Sequence, residues 1–474
     1  MPAPEIDLLT IGRGTVTAPA GCGKTHLIAE ALARHGGEKP VLVLTHTNAG
    51  VVALRGRLDQ ASVPSKAYRL STIDGWAMRL ISSFPLRSGH DPDLLKLTRP
   101  GTDYPNIRVA AAKLLKAGHV ADVIKASYAQ LIVDEYQDCS IRQHAVVASA
   151  AQILPTCVLG DPMQAIFGFG GDDLATWDKQ VCGFFPVAGE LTTPWRWINA
   201  GAEPLGRWLL DVRGKLLKRE PVDLRTAPDG VTWVHLDGTN DHETRLKAAR
   251  IRTPGADGRV LIIGDSTSPD SQRRFASQTP GAVTVEAVDL KDLVAFAKRF
   301  DLESPHALQH LAEFAQSVMR NVGAADFLQR VSALQRGTAR TAPTEAEGLA
   351  LAFIRAPSHR RAADVLVEIG KQVGVTPHRP AVLRACIKAF QLCGGTEGLS
   401  FSDAAIRMRE QNRLVGRPLP NRAVGSTLLL KGLEAEVAVI LNAEALDAKN
   451  LYVAMTRGSK RLVVCAPDSV LNSD

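Results

Sequence analysis

The sequence predicts an α/β protein with parallel sheets, because three observations agree. Short β-branched runs alternate with helical patterns over the first 200 residues, a glycine-rich loop separates the first run from the first helix, and a second set of apolar runs follows residue 195. Such alternation implies parallel sheets covered on both faces, whose strand ends gather a functional site at one edge. The runs that predict strands are TVTA at 15–18, VLVLT at 41–45, LIVDE at 131–135, CVLGD at 157–161, VTWVHL at 231–236, RVLIIGD at 259–265, EVAVIL at 436–441 and RLVVCA at 461–466.

These patterns divide the chain into a first α/β domain, a second α/β domain and a mostly helical insertion. Proline, glycine and charged residues interrupt the first domain at about 82–127, which predicts a short insertion there. Patterns such as LKDLVAFAKRF and ALQHLAEFAQSVM predict helices between the strands of the second set. The expected ranges are 1–190 for the first domain, 191–284 and 419–474 for the second, and 285–418 for the helical insertion.

Composition excludes several classes of protein. The 22% of charged and 45% of apolar residues are typical of a folded globular chain, and the net charge of +7 permits a polyanionic partner without requiring one. Seven scattered cysteines without a CxxC pair argue against a disulfide framework and a zinc ribbon. The start of the chain lacks a signal-peptide pattern and no long apolar span occurs, so we expect a cytoplasmic protein with no membrane partner.

The strongest local signal is the loop that runs from Ala18 to Thr25, with the sequence APAGCGKT. Between a strand and a helix, such a loop turns successive backbone N–H groups toward phosphate, while Lys24 reaches the terminal phosphates and the Thr25 hydroxyl takes a Mg²⁺ position. The alternative is a fortuitous glycine-rich turn. The residues expected to bind nucleotide here are Ala20, Gly21, Cys22, Gly23, Lys24 and Thr25.

A second signal is the pair of carboxylates in LIVDEYQD, at the end of a predicted strand. We expect Asp134 to hold Mg²⁺ through water and Glu135 to polarise the attacking water, as nucleoside triphosphate hydrolysis requires. An isolated pair of this kind is often only a solvated turn. Its pairing with the upstream loop favours the hydrolytic interpretation.

The order of the motifs resembles that of the superfamily 1 DNA helicases of the UvrD/Rep/PcrA type. Besides the loop and the DEYQD box, the boxes that carry the resemblance are LTHTN at 44–48, STIDGWAMRL at 71–80, VLGDPMQAIFGFGG at 158–171, LTTPWRW at 191–197, STLLLKGLEAE at 426–436 and LYVAMTRGSKRL at 451–462. The resemblance implies two tandem RecA-like domains of the P-loop NTPase class. It also implies ATP and Mg²⁺ as cofactors and single-stranded DNA as a partner.

The resemblance assigns roles to further residues. It implies that Gln164 senses the γ-phosphate and that Arg196 and Arg457 act as arginine fingers from the second domain, although surface salt bridges are the alternative for both arginines. Gly432 and Glu434 would contact the nucleotide, and Trp195 would stack on its base unless it is a core aromatic. The implied DNA contacts are Thr45, Thr47, Asn48, Trp76, Phe167 and Phe169, and each aromatic has a core position as its alternative.

Several positions depart from the family pattern. No glutamine precedes Gln60, so the usual adenine-selecting residue has no counterpart upstream of the loop. His46 stands where the family usually has Phe, and Asp74 where His is common. These departures fall on nucleotide-selecting and DNA-contacting positions, whereas the hydrolytic set is intact. The sequence therefore supports hydrolysis better than robust unwinding.

The resulting prediction is an ATP-dependent 3′–5′ DNA helicase or translocase. One alternative is an ATPase subunit that senses or loads DNA ends for a nuclease partner, in DNA repair or in antiviral defence of the Gabija type. A second alternative is a subunit that binds nucleotide and DNA without turnover, against which the intact Glu135, Gln164, Arg196 and Arg457 argue.

Overall fold

The computed structural model describes residues 6–168, 172–255, 258–287, 289–393, 399–414 and 420–472. Internal contacts divide the chain into two compact units. The first unit comprises Met1–Thr232, Leu446–Arg461 and Ser469–Asp474, and the second comprises Trp233–Ala445 and Leu462–Asp468. Each unit holds β-strands flanked by helices, which confirms the predicted α/β class.

The first unit is built on a six-stranded sheet with the order β3-β2-β4-β5-β1-β6. Its strands are β1 (Arg13–Thr17), β2 (Val41–Thr45), β3 (Tyr68–Thr72), β4 (Leu131–Val133), β5 (Thr156–Gly160) and β6 (Val187–Glu190). The strands pair in parallel, so their carboxyl ends meet at one edge of the sheet. The central strands β2, β4 and β5 are buried on both faces, because apolar clusters pack against each side.

Ten helices accompany this sheet in the described part of the first 220 residues. They are α1 (Lys24–Arg34), α2 (Asn48–Gln60), α3 (Ile73–Ser83), α4 (Pro85–Ser88), α5 (Pro100–Lys116), α6 (Ala121–Ser127), α7 (Ile141–Ala150), α8 (Cys182–Phe184), α9 (Trp195–Asn199) and α10 (Glu203–Leu217). The segment expected as an insertion at 82–127 is helical and contributes Ile107, Ala111 and Leu114 to the core beside α7.

A second six-stranded sheet follows the order β10-β13-β9-β14-β15-β8 and belongs mainly to the second unit. Its strands are β8 (Val231–His235), β9 (Val260–Ile263), β10 (Val283–Thr284), β13 (Arg422–Gly425), β14 (Ala435–Ile440) and β15 (Gly458–Ala466). Two short two-stranded pairs complete the strands: β7 (Val222–Asp223) with β16 (Val470–Leu471), and β11 (Met319–Arg320) with β12 (Thr376–Pro377).

Helices dominate the chain between β10 and β13. The helices of this half are α11 (Asp241–Ala249), α12 (Pro269–Gln278), α13 (Lys291–Arg299), α14 (Ala307–Val318), α15 (Ala324–Gln335), α16 (Glu345–Arg355), α17 (His359–Ile369), α18 (Pro380–Cys393), α19 (Phe401–Leu414), α20 (Thr427–Leu430) and α21 (Ala448–Met455). A large apolar cluster from Leu290 to Met408 forms the core of α13 to α19, with Phe390 stacked on Phe401 at 4.0 Å between ring centroids. Within the described ranges, no helix is long and apolar enough to cross a membrane.

The units differ from the ranges expected from the sequence. Residues 191–232, expected in the second α/β domain, lie in the first unit, as do residues 446–461. The reason is local packing: α10 contacts both α9 and α21 within the first unit. The strand pair β7 and β16 also belongs to this unit.

Candidate nucleotide site

The glycine-rich loop connects β1, which ends at Thr17, to α1, which begins at Lys24. Gly21 and Gly23 have φ angles of +72° and +87°, values that side chains rarely allow. At Gly21 a Cβ would also lie 2.5 Å from the Trp197 ring. Glycine is therefore required at Gly21 by both its backbone and its neighbour.

Two of the predicted phosphate donors have partners within the protein. The Ala20 N–H donates to the Tyr452 hydroxyl at 3.1 Å, and the Cys22 N–H donates to the Pro19 carbonyl at 3.1 Å. Both contacts shape the loop in this structure, and the nucleotide contacts of Ala20 and Cys22 stay predictions from the sequence. Gly21, Gly23, Lys24 and Thr25 remain as candidate donors at the start of α1.

Lys24 lies against both carboxylates of the DEYQD box. Its Nζ is 3.0 Å from Asp134 Oδ1 and 2.5 Å from Glu135 Oε1. Burial alone would lower the pKa of Lys24, but the two negative charges outweigh it and raise the pKa, so the ammonium stays charged. Burial and the charge of Glu135 together raise the pKa of Asp134, against the opposing effect of Lys24.

Glu135 is held by its backbone as well as by Lys24. Its φ of +54° is in the left-handed region, an uncommon conformation for a side chain of this size. Gln137 donates through Nε2 to Glu135 Oε2 at 2.5 Å and accepts the Asp161 N–H through Oε1 at 3.1 Å. A Cβ at Gly160 would lie 2.6 Å from Gln137 Oε1, so glycine at the end of β5 makes room for this link.

Asp161 follows β5 and organises the predicted phosphate sensor. Gln164 donates through Nε2 to Asp161 Oδ2 at 3.1 Å. Asp161 is fully buried, and Arg213 of α10 compensates its charge with Nη2 3.0 Å from Oδ1. Sequence reasoning missed Arg213, because it belongs to no motif and lies on a helix where an arginine is ordinarily solvated.

The PWRW segment packs directly onto the loop. The Arg196 N–H donates to the Gly21 carbonyl at 3.0 Å, and its guanidinium donates to the Thr456 carbonyl at 2.6 Å. Trp197 is buried, and its indole N–H donates to the Gly458 carbonyl at 2.9 Å. Trp195 is 48% exposed, and its Cδ1 would lie 3.0 Å from a Cβ at Gly23. Trp195 is therefore an exposed aromatic beside the loop and does not occupy a core position.

Arg457 follows α21, the helix that carries Tyr452. It is buried, and its guanidinium donates to the Val453 carbonyl at 2.8 Å and to the Thr456 hydroxyl at 3.0 Å. Burial raises the pKa of Tyr452 well above its usual value, with a further contribution from Asp161, so the hydroxyl stays protonated. The resemblance places both arginine fingers on a second domain, but Arg196 and Arg457 both lie in the unit that holds the loop.

Gly432 and Glu434 lie in the second unit, in the turn between α20 and β14. Gly432 has a φ of +80°, which explains a glycine at this turn, and Glu434 is exposed. Their assignment to the nucleotide therefore remains a prediction from the resemblance.

Two of the predicted DNA contacts are core residues. Thr45 is 1% exposed at the end of β2, and Trp76 is 3% exposed within the cluster between the sheet and α5. Neither side chain offers a surface to a polymer in this structure, where Thr45 and Trp76 support the fold. For Trp76 the core alternative is the observed one.

The other DNA candidates lie near the carboxyl end of β2. Asn48 is exposed at the start of α2, and Thr47 caps that helix by accepting the Gly50 N–H at 3.0 Å. Phe167 is half-buried, and its ring lies 5.8 Å from that of His46, the residue that replaces the family's Phe. Phe169 lies outside the described residues.

The arrangement fits a Mg²⁺-bound nucleoside triphosphate. A helix N-terminus, two left-handed glycines and a charged lysine form an anion cradle, and a buried carboxylate beside them supplies an oxygen ligand of the kind Mg²⁺ prefers. Thr25, the second residue of α1, adds a hydroxyl next to Lys24. Within the described ranges, no group of three or more His, Cys, Asp or Glu side chains could hold a metal by itself.

A family model matches one stretch of the chain, which includes the DEYQD box. Residues 96–180 match the model of the UvrD/REP helicase N-terminal domain. Two solved structures of the Arterivirus nonstructural protein 10 helicase, one described as a complex with DNA, are 10% identical to the chain, with TM-scores of 0.35 and 0.31. The matched regions cover 97% of this chain, and this chain spans 62% and 61% of the length of the two viral chains. No curated protein sequence matches the chain. The matched stretch is similar to the UvrD/REP helicase N-terminal domain and includes the DEYQD box, whose Asp134 and Glu135 lie against Lys24 of the loop.

Proposed function

We propose that this protein is an ATP- and Mg²⁺-dependent enzyme of the DNA helicase class, which hydrolyses ATP in response to single-stranded DNA and moves 3′ to 5′ along it. The observation that carries the proposal is the position of Lys24, held between Asp134 and Glu135 at the start of α1. A lysine in this loop beside two strand-end carboxylates supplies the phosphate grip, the metal ligand and the base that phosphoryl transfer requires.

Each residue of the site has a separate role in the proposed hydrolysis of ATP. The bound nucleotide supplies the phosphoanhydride, and Mg²⁺ neutralises charge on its phosphates. Lys24 exchanges a carboxylate partner for phosphate oxygens, which frees Glu135 to accept the proton of the attacking water. Gln164, which donates to Asp161, is the proposed sensor of the terminal phosphate.

Arg196 and Arg457 complete the site by stabilising the charge that develops on the phosphoryl oxygens. Arg196 supports this role because its backbone is already bonded to the loop at Gly21. Arg457 supports it less directly, through Tyr452 on the preceding helix, whose hydroxyl accepts the Ala20 N–H. Trp195, exposed beside Gly23, is the proposed platform for the base.

The proposed DNA surface comprises Thr47, Asn48, His46 and Phe167. Polar groups at a helix N-terminus bind phosphate, and an aromatic side chain stacks on bases without regard to their sequence. Asn48 is exposed and the rings of His46 and Phe167 are neighbours, which supports one contact surface. The 3′–5′ polarity rests on the family resemblance.

The decisive experiment measures phosphate release by the whole protein with and without a single-stranded oligonucleotide. We expect DNA to stimulate release and Lys24→Ala to abolish it; absence of hydrolysis by the parent protein would reject the proposal. Strand displacement on 3′-tailed and 5′-tailed duplexes then tests the finer claim. Displacement confined to 3′-tailed substrates agrees with it, whereas stimulated hydrolysis without displacement on either substrate favours an ATPase that senses DNA for a nuclease partner.

A further inference from the structure

A chain of polar contacts crosses the first unit next to the proposed DNA surface. Arg108, on α5, donates to both oxygens of Asp74 at 2.7 Å each, through Nε and Nη2. Its Nη1 donates to Asp172 Oδ2, also at 2.7 Å. One guanidinium therefore joins the first turn of α3 to Asp172.

The chain continues from Asp74 to the loop after β2. Gln143, on α7, donates through Nε2 to Asp74 Oδ2 at 3.2 Å. Its Oε1 lies 3.2 Å from His46 Nδ1. The His46 ring in turn neighbours Phe167, so the contacts lead from Arg108 to both aromatic rings of the proposed DNA surface.

The positive and negative charges in this chain of contacts are equal in number. Arg142 donates to the second oxygen of Asp172 at 2.8 Å, so two arginines face two carboxylates. The side chains of Arg108, Asp74 and Asp172 are 13%, 17% and 13% exposed, which limits screening by water. Removing Arg108 would leave both aspartates near each other without their shared cation, and they would repel.

The planar fork of arginine makes this geometry specific. A bidentate contact fixes the orientation of Asp74 as well as its distance, and a third N–H fixes Asp172 at the same time. A lysine would keep the charge but could not hold the two carboxylates in fixed directions. The Tyr104 ring lies 5.9 Å from the guanidinium and adds a second support.

We propose that Arg108 is a positioning residue for DNA binding: it holds the His46 ring, and through it the Phe167 ring, in the position that single-stranded DNA requires. The inference rests on the proposed function, since it concerns the DNA surface of that enzyme. Arg108 acts through Asp74, Gln143 and Asp172 and needs no contact with DNA or nucleotide.

The test compares Arg108→Gln, Arg108→Lys and the parent protein, with Arg87→Gln as control. Arg87 is also an arginine of the helical segment before β4, but it is exposed and bonds only the His119 carbonyl among the described contacts. The measurements are the dissociation constant for a labelled oligonucleotide, the oligonucleotide concentration that half-saturates phosphate release, the KM for ATP, and the melting temperature.

We expect Arg108→Gln to raise the DNA dissociation constant and the half-saturating concentration about five- to tenfold, the size of effect that a coupling network carries. Arg108→Lys should produce a smaller rise of about two- to fivefold, because it restores charge without the fork. The KM for ATP should change less than either DNA measurement. Asp74→Asn combined with Arg108→Gln should bind DNA better than Arg108→Gln alone, since it removes the repulsion.

The outcomes separate this inference from the proposed function. A parent protein that neither binds DNA nor responds to it overturns both. A DNA-stimulated parent whose Arg108 variants bind DNA like Arg87→Gln overturns the positioning role alone. Equal losses in DNA binding and in the KM for ATP would indicate a general structural role instead and would also overturn it. If Arg108→Gln does not fold, Arg108→Lys decides between these results.

Discussion

Replacing Glu135 by glutamine tests the proposed base with little change of shape. In the structure, Glu135 receives Lys24 on one oxygen and Gln137 on the other. A glutamine keeps only one acceptor oxygen, so it must turn its amide NH₂ toward one of these two donors. Lys24 retains Asp134 at 3.0 Å, and the loop therefore keeps its main ion pair.

The magnitude follows from these contacts. One charge-assisted hydrogen bond is lost, but the Glu135 side chain is 34% exposed, so the free energy of unfolding should fall by only about 1 kcal/mol. Loss of a general base lowers turnover by about 10²–10⁴, equivalent to about 3–5 kcal/mol of barrier. Binding of ATP should match or slightly exceed that of the parent, because one negative charge near the phosphates is gone.

Three measurements on Glu135→Gln check this reasoning: phosphate release at saturating DNA, the affinity for a fluorescent ATP analogue, and urea unfolding. Glu220→Gln is the matched control, since Glu220 is exposed and follows α10, which ends at Leu217. Hydrolysis by Glu135→Gln at the rate of Glu220→Gln would show that Glu135 is not the base. A combined loss of nucleotide binding and stability would instead identify it as a structural partner of Lys24.

Three further changes have defined outcomes. Arg457→Ala should slow turnover more than it weakens ATP binding, and equal losses of both, measured by steady-state kinetics and analogue binding, would count against a finger role. Arg213→Met should lower the free energy of unfolding by about 3 kcal/mol, because it leaves the fully buried Asp161 without a cation. The exposed arginine of the same helix, changed in Arg207→Met, should cost less than about 1 kcal/mol in the same urea titration. Burial, aided by the positive charges of two nearby arginines, lowers the pKa of His378 to about 4. In the unfolded state the imidazole has its usual pKa of about 6.5, so below about pH 6.5 the unfolded state binds a proton that the folded state does not. Between pH 7.5 and pH 5, the free energy of unfolding of the parent should therefore fall by up to about 2 kcal/mol more than that of His378→Gln, as measured by urea unfolding. Identical decreases would show that His378 is not responsible.

The fold class was predictable because the central strands are long apolar runs. The runs VLVLT and CVLGD predict strands without ambiguity, because β2 and β5 are buried on both faces and therefore consist mainly of apolar residues. Within the first sheet, the strands that the sequence did not reveal are β3 and β6, which form its edges. Their exposed and half-exposed positions break the apolar pattern, so periodicity alone could not identify them.

The candidate site was predictable where chemistry follows local spacing. Lys24, Asp134 and Glu135 could be paired because each lies at the carboxyl end of a parallel strand or in the loop after one. The engagement of Ala20 by Tyr452 could not be predicted, since it joins positions 432 residues apart. Burial of Thr45 and Trp76 likewise depends on how neighbouring elements pack, which no motif records.

The contacts that close over the glycine-rich loop also set an order for biosynthesis. Trp197 and the Ala20 N–H find their partners at Gly458 and Tyr452, far downstream. While the ribosome is still translating the helical region, the six strands of the first sheet have emerged, yet the loop lacks this cover and the Trp197 indole lacks its acceptor. Contacts so distant along the chain form slowly, because much of the polypeptide must be synthesised before they exist. A nascent or prematurely terminated chain that stops before Tyr452 would therefore display an apolar indole and an unfinished site to chaperones and proteases.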